Sequence, residues 1–288
     1  MTSSNISIRV NERILTITQG TSLGKVRDRV KPTADVLVVN GYPTVESYVL
    51  QDGDSLALIE RGEVPSQDEL EALMVSRHSP GVHAGLKQAV VGVAGLGGLG
   101  SAVATALART GVGTLILVDF DVVEPSNLNR QQYFLDHLGR PKTEAMAGLL
   151  AGINPYTRIV SHQLRLDPIN IPTVFKAADV IVECLDRAEE KVMLLETVAD
   201  QLPKAYFIAA SGLAGYGDSN RIRTFRIGER VFLVGDLVSP AEPGQGLMAP
   251  RVGIAAHHQA NLVVSLLMNP ARAYQEAEDF LNHRPPGE

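Results

Sequence analysis

The chain has 288 residues, with 26 Lys and Arg against 32 Asp and Glu, for a formal net charge of −6. That length suits one large domain or a medium domain beside a small one, and 45% hydrophobic with 20% charged residues describes an ordinary globular protein. The acidic balance argues against general affinity for nucleic acid or an anionic membrane surface, and a single cysteine excludes a disulfide framework or a multi-cysteine zinc site. No basic stretch followed by an apolar run opens the sequence, so no secretion signal is read and a cytoplasmic enzyme is expected. Gln88 to Ala108 carries no charge, close to the ~20 residues of a bilayer span. Gly92, Gly95, Gly97, Gly98 and Gly100 make it read instead as strand, tight turn and helix.

In chain order, Ile6, Ile8 and Val10 alternate as in a strand, Asn11-Glu12 turns the chain, and Arg13–Ile17 forms a second strand. Leu23, Val26 and Val30 suit a short helix capped by Thr21 or Ser22. Asp35–Val39 and Ser55–Glu60 are further strands, each beside a turn signal. Strand, strand, helix, strand, strand within residues 1–62 fits a β-grasp, or ubiquitin-like, layout. Residues 63–88 read as a connector in which Ser66 and Glu69 form a capping-box signal for a helix to about Ser76, and a short amphipathic segment follows.

From Ala89 strands and helices alternate: strands at Ala89–Ala94, Thr114–Asp119, Val180–Leu185 and Tyr206–Ala210, helices at Ser101–Thr110, Lys142–Ile153 and Ala188–Ala199. This predicts an α/β, Rossmann-like domain over 89–270, with a mostly parallel sheet covered by helices on both faces. Arg221–Val234 reads as an antiparallel hairpin, Arg251–Met268 as a closing helix, and 271–288 as a polar, frayed tail.

Gly95-Leu96-Gly97-Gly98-Leu99-Gly100 is a G-x-G-x-x-G between a strand and a helix. Glycines there allow a tight turn and a close approach of phosphate to backbone amides, and the helix adds unpaired N–H groups. Asp119, ending the next strand, stands where a dinucleotide fold places the acid that binds ribose. The loop after it holds Asp121, Asn127, Arg130 and Gln131 and is followed by Lys142. A nicotinamide enzyme has no use for such a loop, whereas a triphosphate needs donors and cations to offset charge on a leaving group.

Further motifs stand in order along the domain: Gly95–Gly100, Asp119-Phe120-Asp121, Ser126–Gln131, Gly139-Arg140-Pro141-Lys142, Ile153-Asn154-Pro155, Glu183-Cys184-Leu185-Asp186 and Gly246–Pro250. Through them residues 89–268 resemble the ThiF/MoeB family of adenylyltransferases, relatives of the ubiquitin-activating enzymes. Ala210–Gly217 resembles a shorter ThiF subfamily, and the first 62 residues resemble ThiS, its sulfur-carrier partner. The resemblance implies transfer of AMP from ATP to the C-terminal glycine carboxylate of a ubiquitin-like carrier, with thiamine thiazole synthesis as the expected pathway. By the family pattern Asp119 binds ribose, and Asn127, Arg130 and Lys142 contact the phosphates. Asp186 positions Mg²⁺ and the reacting phosphate, with Gln131 as a weaker candidate. Asp121 is read either as a further ATP contact or as a brace of its loop, Asp186 also as a helix cap, and Arg77 either as an ATP-reaching arginine or as a solvated connector charge. A homodimer and a separate sulfur donor are expected.

Two departures stand out. Many relatives hold zinc through paired Cys-x-x-Cys motifs, but Cys184 is alone in an apparent core strand, so no zinc and no covalent carrier intermediate are expected. The ThiS-like segment ends Arg61-Gly62-Glu63 inside the chain, without a free Gly-Gly carboxylate. It is therefore read as a docking, dimerising or regulatory module, with the substrate a separate carrier ending in Gly-Gly. The rival classes are activation of a carrier for another pathway, a nicotinamide-dependent oxidoreductase that leaves Arg130, Lys142 and Asp186 unexplained, and a scaffold without chemistry.

Overall fold

The computed structural model describes residues 4–79 and 81–280, apart from the side chain of Arg77. The chain divides into two units, Met1–Pro80 and Gly81–Glu288.

In the first unit β1 (Asn5–Val10) and β2 (Arg13–Thr18) pair antiparallel. Asn11 and Glu12 both take positive φ (44° and 66°), the handedness that lets a two-residue turn match strand twist. The alternation read from the sequence puts Ile6, Ile8 and Val10 inward. Helix α1 (Leu23–Val30) covers them with Leu23 and Val26. Ser22 stands at its cap position, but its side chain makes no cap bond. With β3 (Val36–Val39), β4 (Tyr42–Pro43) and β5 (Ser55–Ile59) the sheet order is β2-β1-β5-β3-β4, β1 and β5 being parallel. Helix α2 (Gln67–Arg77) follows, and its Glu69 amide donates to Ser66 Oγ at 3.3 Å.

The second unit opens with α3 (Val82–Gln88), β6 (Val90–Ala94), α4 (Gly98–Arg109) and β7 (Thr114–Val118). Next come α5 (Lys142–Ile153), β8 (Arg158–His162), α6 (Ile171–Val174) and β9 (Val180–Glu183). Then follow α7 (Ala188–Gln201), β10 (Tyr206–Ala210), β11 (Arg223–Arg226) and β12 (Val231–Gly235). The unit closes with α8 (Ala249–Met268), α9 (Pro270–Glu276) and β13 (Glu278–Asp279). The sheet order is β13-β11-β12-β10-β9-β6-β7-β8, parallel from β12 through β8. Leu115 and Leu117 of β7 pack with α4 and α8, while Ile116 and Val118 belong to the core formed with α6 and α7. This is the expected Rossmann-like arrangement. The uncharged run from Gln88 is spent on the end of α3, β6, the glycine turn and α4, and no helix among the described residues is long and apolar enough to cross a membrane.

The sequence reading missed β8, an edge strand whose Arg-Ile-Val-Ser-His is only half buried and so carries a weak apolar signal. The tail expected from 271 needs correction. Asn269 caps α9 by accepting the Arg272 amide at 3.1 Å, Ala273 is buried, and Tyr274 stacks on Phe232 at 5.7 Å and donates to the Glu229 carbonyl. Two anchors in a polar stretch were enough to dock it. Residues 281–288 lie outside the described residues.

Gly92 has no room for a side chain, since a Cβ would stand 2.5 Å from the Phe175 ring, whereas Gly148 in α5 faces open space. Gly92→Ala should destabilise by about 1–3 kcal/mol and Gly148→Ala should stabilise by about 0.5–1 kcal/mol, both read from denaturant unfolding.

Candidate functional site

From β6 the chain runs outward to β7 and β8, then crosses back to place β9 and β10 on the other side of β6. Loops leaving the carboxyl ends of β6 and β9 therefore diverge, which opens a crevice at the switch in strand order. The crevice is a cavity of about 810 Å³ lined by Gly95, Gly97, Gly98, Asp119, Asp121, Asn127, Arg130, Gln131, Lys142 and Asp186. Of the candidates read from the sequence, Gly100 lies behind the lining and the Arg77 side chain lies outside the described residues.

The glycines of the motif have different tasks. Gly95 takes φ +92°, and a Cβ there would stand 2.7 Å from the Cys184 carbonyl oxygen, so it lets the ends of β6 and β9 approach. A Cβ on Gly100 would collide with the Gly95 carbonyl, so this glycine seats α4 against its own loop. A Cβ on Gly98 would stand 2.9 Å from Val252. Gly97 alone of the set is open, with only the Gln131 amide nitrogen 3.9 Å from where its Cβ would be. It is the N-cap of α4 and supplies no side-chain cap, so the first amides of the helix remain for an anion.

Asp119 is 8% exposed at the end of β7. Its Oδ2 accepts the Leu96 amide at 2.7 Å and its Oδ1 the Asp121 amide at 2.8 Å, so it holds the glycine loop and its own loop in register. Each oxygen keeps a lone pair for a further donor. Burial raises its pKa, opposed by Lys142 and the two amides. Lys142, the first residue of α5, is buried, with Nζ 2.9 Å from Asp121 Oδ2 and 3.9 Å from Asp119 Oδ2. Asp121 thus braces the lysine, and its carbonyl also accepts the Lys142 amide at 3.0 Å.

The loop carrying the other candidates is tied down at both ends. Asn127 Oδ1 accepts the Glu124 amide at 3.0 Å, Ser101 Oγ accepts the Gln132 amide at 3.2 Å, and Tyr133 donates to the Leu96 carbonyl at 2.9 Å. Arg130 Nη1 donates to the Ser126 carbonyl and to Asn129 Oδ1, while Nε and Nη2 make no hydrogen bond among the described residues. Gln131 is buried, and its side-chain oxygen has no partner among the described residues. A buried amide left half satisfied on a cavity wall calls for a polar ligand. Ribose or base groups can meet it as drawn, and phosphate oxygens can meet it with the amide turned over. The open Gly97 and this amide together fit a nucleotide.

Asp186 is exposed, three residues past the end of β9. Arg187 holds the cap position of α7, and no side chain there makes a cap bond, so the capping alternative for Asp186 is not realised. Among the described residues no group of three or more His, Cys, Asp and Glu could hold a metal ion. A single carboxylate nevertheless suits Mg²⁺, which is commonly shared between one or two carboxylates and substrate phosphates. Cys184 is buried, with its thiol pKa pushed well up by that burial.

Sequence reasoning missed two buried ion pairs on the far side of the cavity. Glu183, wholly buried, meets Lys191 at 2.8 Å. Asp236 meets Arg251, whose Nη1 also donates to the Gly217 and Asp218 carbonyls. Burial would raise the Asp236 pKa, but the Ser239 hydroxyl, the Val238 and Ser239 amides and Arg251 outweigh it and leave the pKa lowered. Gly212 takes φ +75°, and any Cβ there would strike Asp236 Oδ1. The only sequence signal for either pair was charge inside an apolar run.

Lys142→Met would leave Asp119 charged and buried without its cation. The loss should be about 2 kcal/mol at pH 7, below the ~3–5 kcal/mol of a fully buried pair because Asp121 is half exposed. An acid whose pKa is raised on folding loses stability as pH rises through that pKa. The deficit against the parent should therefore shrink from pH 7 towards pH 4, as denaturant unfolding at several pH values would reveal.

Comparison with known proteins identifies the family of each part of the chain. The family described as "ThiF family" matches residues 71–283, and "ThiS-like ubiquitin" matches residues 6–62. The molybdopterin-synthase adenylyltransferase of Salmonella typhimurium is 33% identical over 188 residues, 63% of this chain and 74% of that protein. The adenylyltransferase and sulfurtransferase UBA4 of Yarrowia lipolytica is 31% identical over 181 residues, 61% of this chain but 45% of its own length. Several of the curated relatives are thus much longer, and the chain spans half or less of them. Among solved structures, E. coli tRNA N6-threonylcarbamoyladenosine dehydratase, TcdA, in complex with AMP superposes with a TM-score of 0.64 at 21% identity, over 73% of this chain and all of that one. At that identity the likeness speaks for the fold. By the extent of the family match, the chain belongs to the ThiF family, with a ThiS-like ubiquitin domain in front of it.

Proposed function

We propose that the chain is an ATP-dependent adenylyltransferase that activates the C-terminal glycine carboxylate of a separate ubiquitin-like sulfur carrier. The observation that carries this reading is the crevice at the β6–β9 switch. There the uncapped start of α4 faces an arginine fork, a buried lysine and a half-satisfied glutamine amide. The names of its relatives, adenylyltransferases and sulfurtransferases, point the same way.

The carrier carboxylate is its own nucleophile. One of its oxygens bonds to the α-phosphorus, the bond from that phosphorus to the bridging oxygen breaks, and pyrophosphate leaves. The protein's task is to hold the partners in line and to meet negative charge as it moves onto the leaving group. Amides at Gly97–Leu99, the free donors of Arg130 and the Asn127 side-chain amide take the phosphates, and Lys142 adds its charge from its brace on Asp121. Asp119 receives ribose hydroxyls on its remaining lone pairs, and Gln131 pairs with the nucleotide. Asp186, on the other wall of the crevice, would hold Mg²⁺ and position the reacting phosphate, and the ion would supply charge screening to the phosphates. A nicotinamide enzyme gives Arg130 and Lys142 nothing to do.

The fused domain is proposed as a docking, dimerising or regulatory module. Gly62 takes φ +81° and runs on into α2 as an internal peptide with no carboxylate to activate. The segment after it is fastened back on its own domain, with Lys31 ion-paired to Glu63 and Asn11 Nδ2 donating to Glu69 Oε1 at 2.9 Å. The working unit is proposed as a cytoplasmic homodimer, with the sulfur supplied by another protein. The carrier is proposed to be of the thiamine thiazole type. One relative is named a molybdopterin-synthase adenylyltransferase, so carriers of both kinds belong in the assay.

Labelled pyrophosphate should exchange into ATP only when a carrier ending in Gly-Gly is added. Exchange by the chain alone, or an intact mass ending at Gly62, would show instead that the fused domain is itself the substrate. Arg130→Ala should lower exchange about a hundredfold, the scale of one preorganised charge-stabilising donor, and a loss under about threefold would remove it from that role. Calorimetry should show binding of ATP with Mg²⁺ and none of NAD.

A further inference from the structure

One cation on the cavity wall is not free to meet a ligand. Lys191, on α7, has three donor hydrogens, and its Nζ makes three hydrogen bonds: to Glu183 Oε1 at 2.8 Å, to Glu183 Oε2 at 2.9 Å and to the Ala210 carbonyl at 3.2 Å. Glu183 is as fully engaged. Its Oε1 also accepts the Leu185 amide at 2.6 Å, and its Oε2 the Ala210 amide at 3.4 Å. The Glu183 side chain is wholly buried at the end of β9, while the Lys191 side chain retains 28% exposure towards the crevice. Gln259 of α8 closes the cluster from behind, donating to the Glu183 carbonyl at 3.2 Å.

A buried charge pair is a poor way to gain stability, because desolvation offsets most of the attraction and an apolar pair of similar volume does as well. What this pair supplies is position. It joins β9, α7, the end of β10 and the turn after Cys184. Leu185, whose amide it holds, is followed at once by Asp186. Ala210, whose amide and carbonyl it holds, is followed at once by Ser211, Gly212 and Leu213 on the cavity wall.

We propose that Glu183 and Lys191 are positioning residues that set Asp186 on one side of the reacting centre and the Ser211–Leu213 wall on the other, without touching the nucleotide. This rests on the adenylation reading for its catalytic consequence, but the geometric part stands without it. Neither residue is among the phosphate contacts assigned above.

The test uses the full chain and a double variant, Glu183→Gln with Lys191→Met, which removes both charges together and leaves no unpaired ion. Amide hydrogen exchange followed by mass spectrometry reads the geometry whether or not the protein is active. Peptides covering 184–187 and 210–213 should exchange at least tenfold faster in the double variant, while those covering 96–100 keep the parent rate. Equal rates in all of them would overturn the proposal, as would a uniform acceleration with a collapsed melting temperature. Kinetics then separate the two readings. ATP affinity by calorimetry should stay within threefold of the parent and the saturating exchange rate should fall at least tenfold, whereas the single conservative variant Lys191→Arg, with Glu183 kept, should hold the rate within threefold of the parent. A fall in ATP affinity that matches the fall in rate would overturn the positioning role. If the parent chain neither binds ATP nor exchanges pyrophosphate with any carrier, the adenylation reading fails, and the hydrogen-exchange result still decides the geometric claim.

Discussion

The carboxylate of Asp119, buried where β7 ends, accepts the amide of Leu96 on one oxygen and that of Asp121 on the other, with Lys142 facing it. The glycine loop, the polar loop and the start of α5 are thereby joined through one group. A carboxylate in such a place is costly unless its oxygens are met, and its raised pKa records that residual cost. Everything on this wall of the crevice inherits its place from that arrangement, because Asp121 in turn braces the lysine and the loop to Gln131 hangs from the same strand end.

The opposite wall is built on the same principle with other residues. Glu183 with Lys191 and Asp236 with Arg251 are each buried or nearly so, and each accepts or donates to backbone at two or more points. Two such pairs beside one cavity are hard to explain as stability devices, since apolar packing would serve equally. They add side-chain bonds to backbone just beyond the strand ends: the turn after β9, the segment after β10 and the bend at Leu237, which takes φ +66° without being glycine. The second unit is thus a mostly parallel sheet whose loops at one end are pinned by charge, and that end is where the crevice lies.

The front domain follows a different logic. Its core of Ile6, Ile8, Val10, Leu23, Val26, Leu56 and Leu58 is that of a small ubiquitin-like fold. The strand that would end in a free tail instead turns at Gly62 and continues into a capped helix. A fold associated with a substrate is thereby kept while Gly62 is an internal peptide, which is why its proposed role is docking, dimerising or regulatory.

Local pattern was enough to read the layout from the amino-acid order: alternation at Ile6–Val10, the glycine run after a strand, the capping pair Ser66 and Glu69, and the loop from Asp119 to Gln131. These signals are short-range, because each depends on backbone geometry within a few residues. Which of the four motif glycines faces a ligand could not be read that way. Gly95 and Gly100 answer to the Cys184 and Gly95 carbonyls, whereas Gly97 meets only the Gln131 amide, at ordinary contact distance. Nor could the pairing of Glu183 with Lys191, or the docking of α9 through Tyr274, be seen in a stretch of mixed charge and polarity. Those facts belong to tertiary structure, because burial and the distance between strand ends decide whether a charge is solvated, braced or spent on holding the backbone, and neither quantity exists until the sheet has formed.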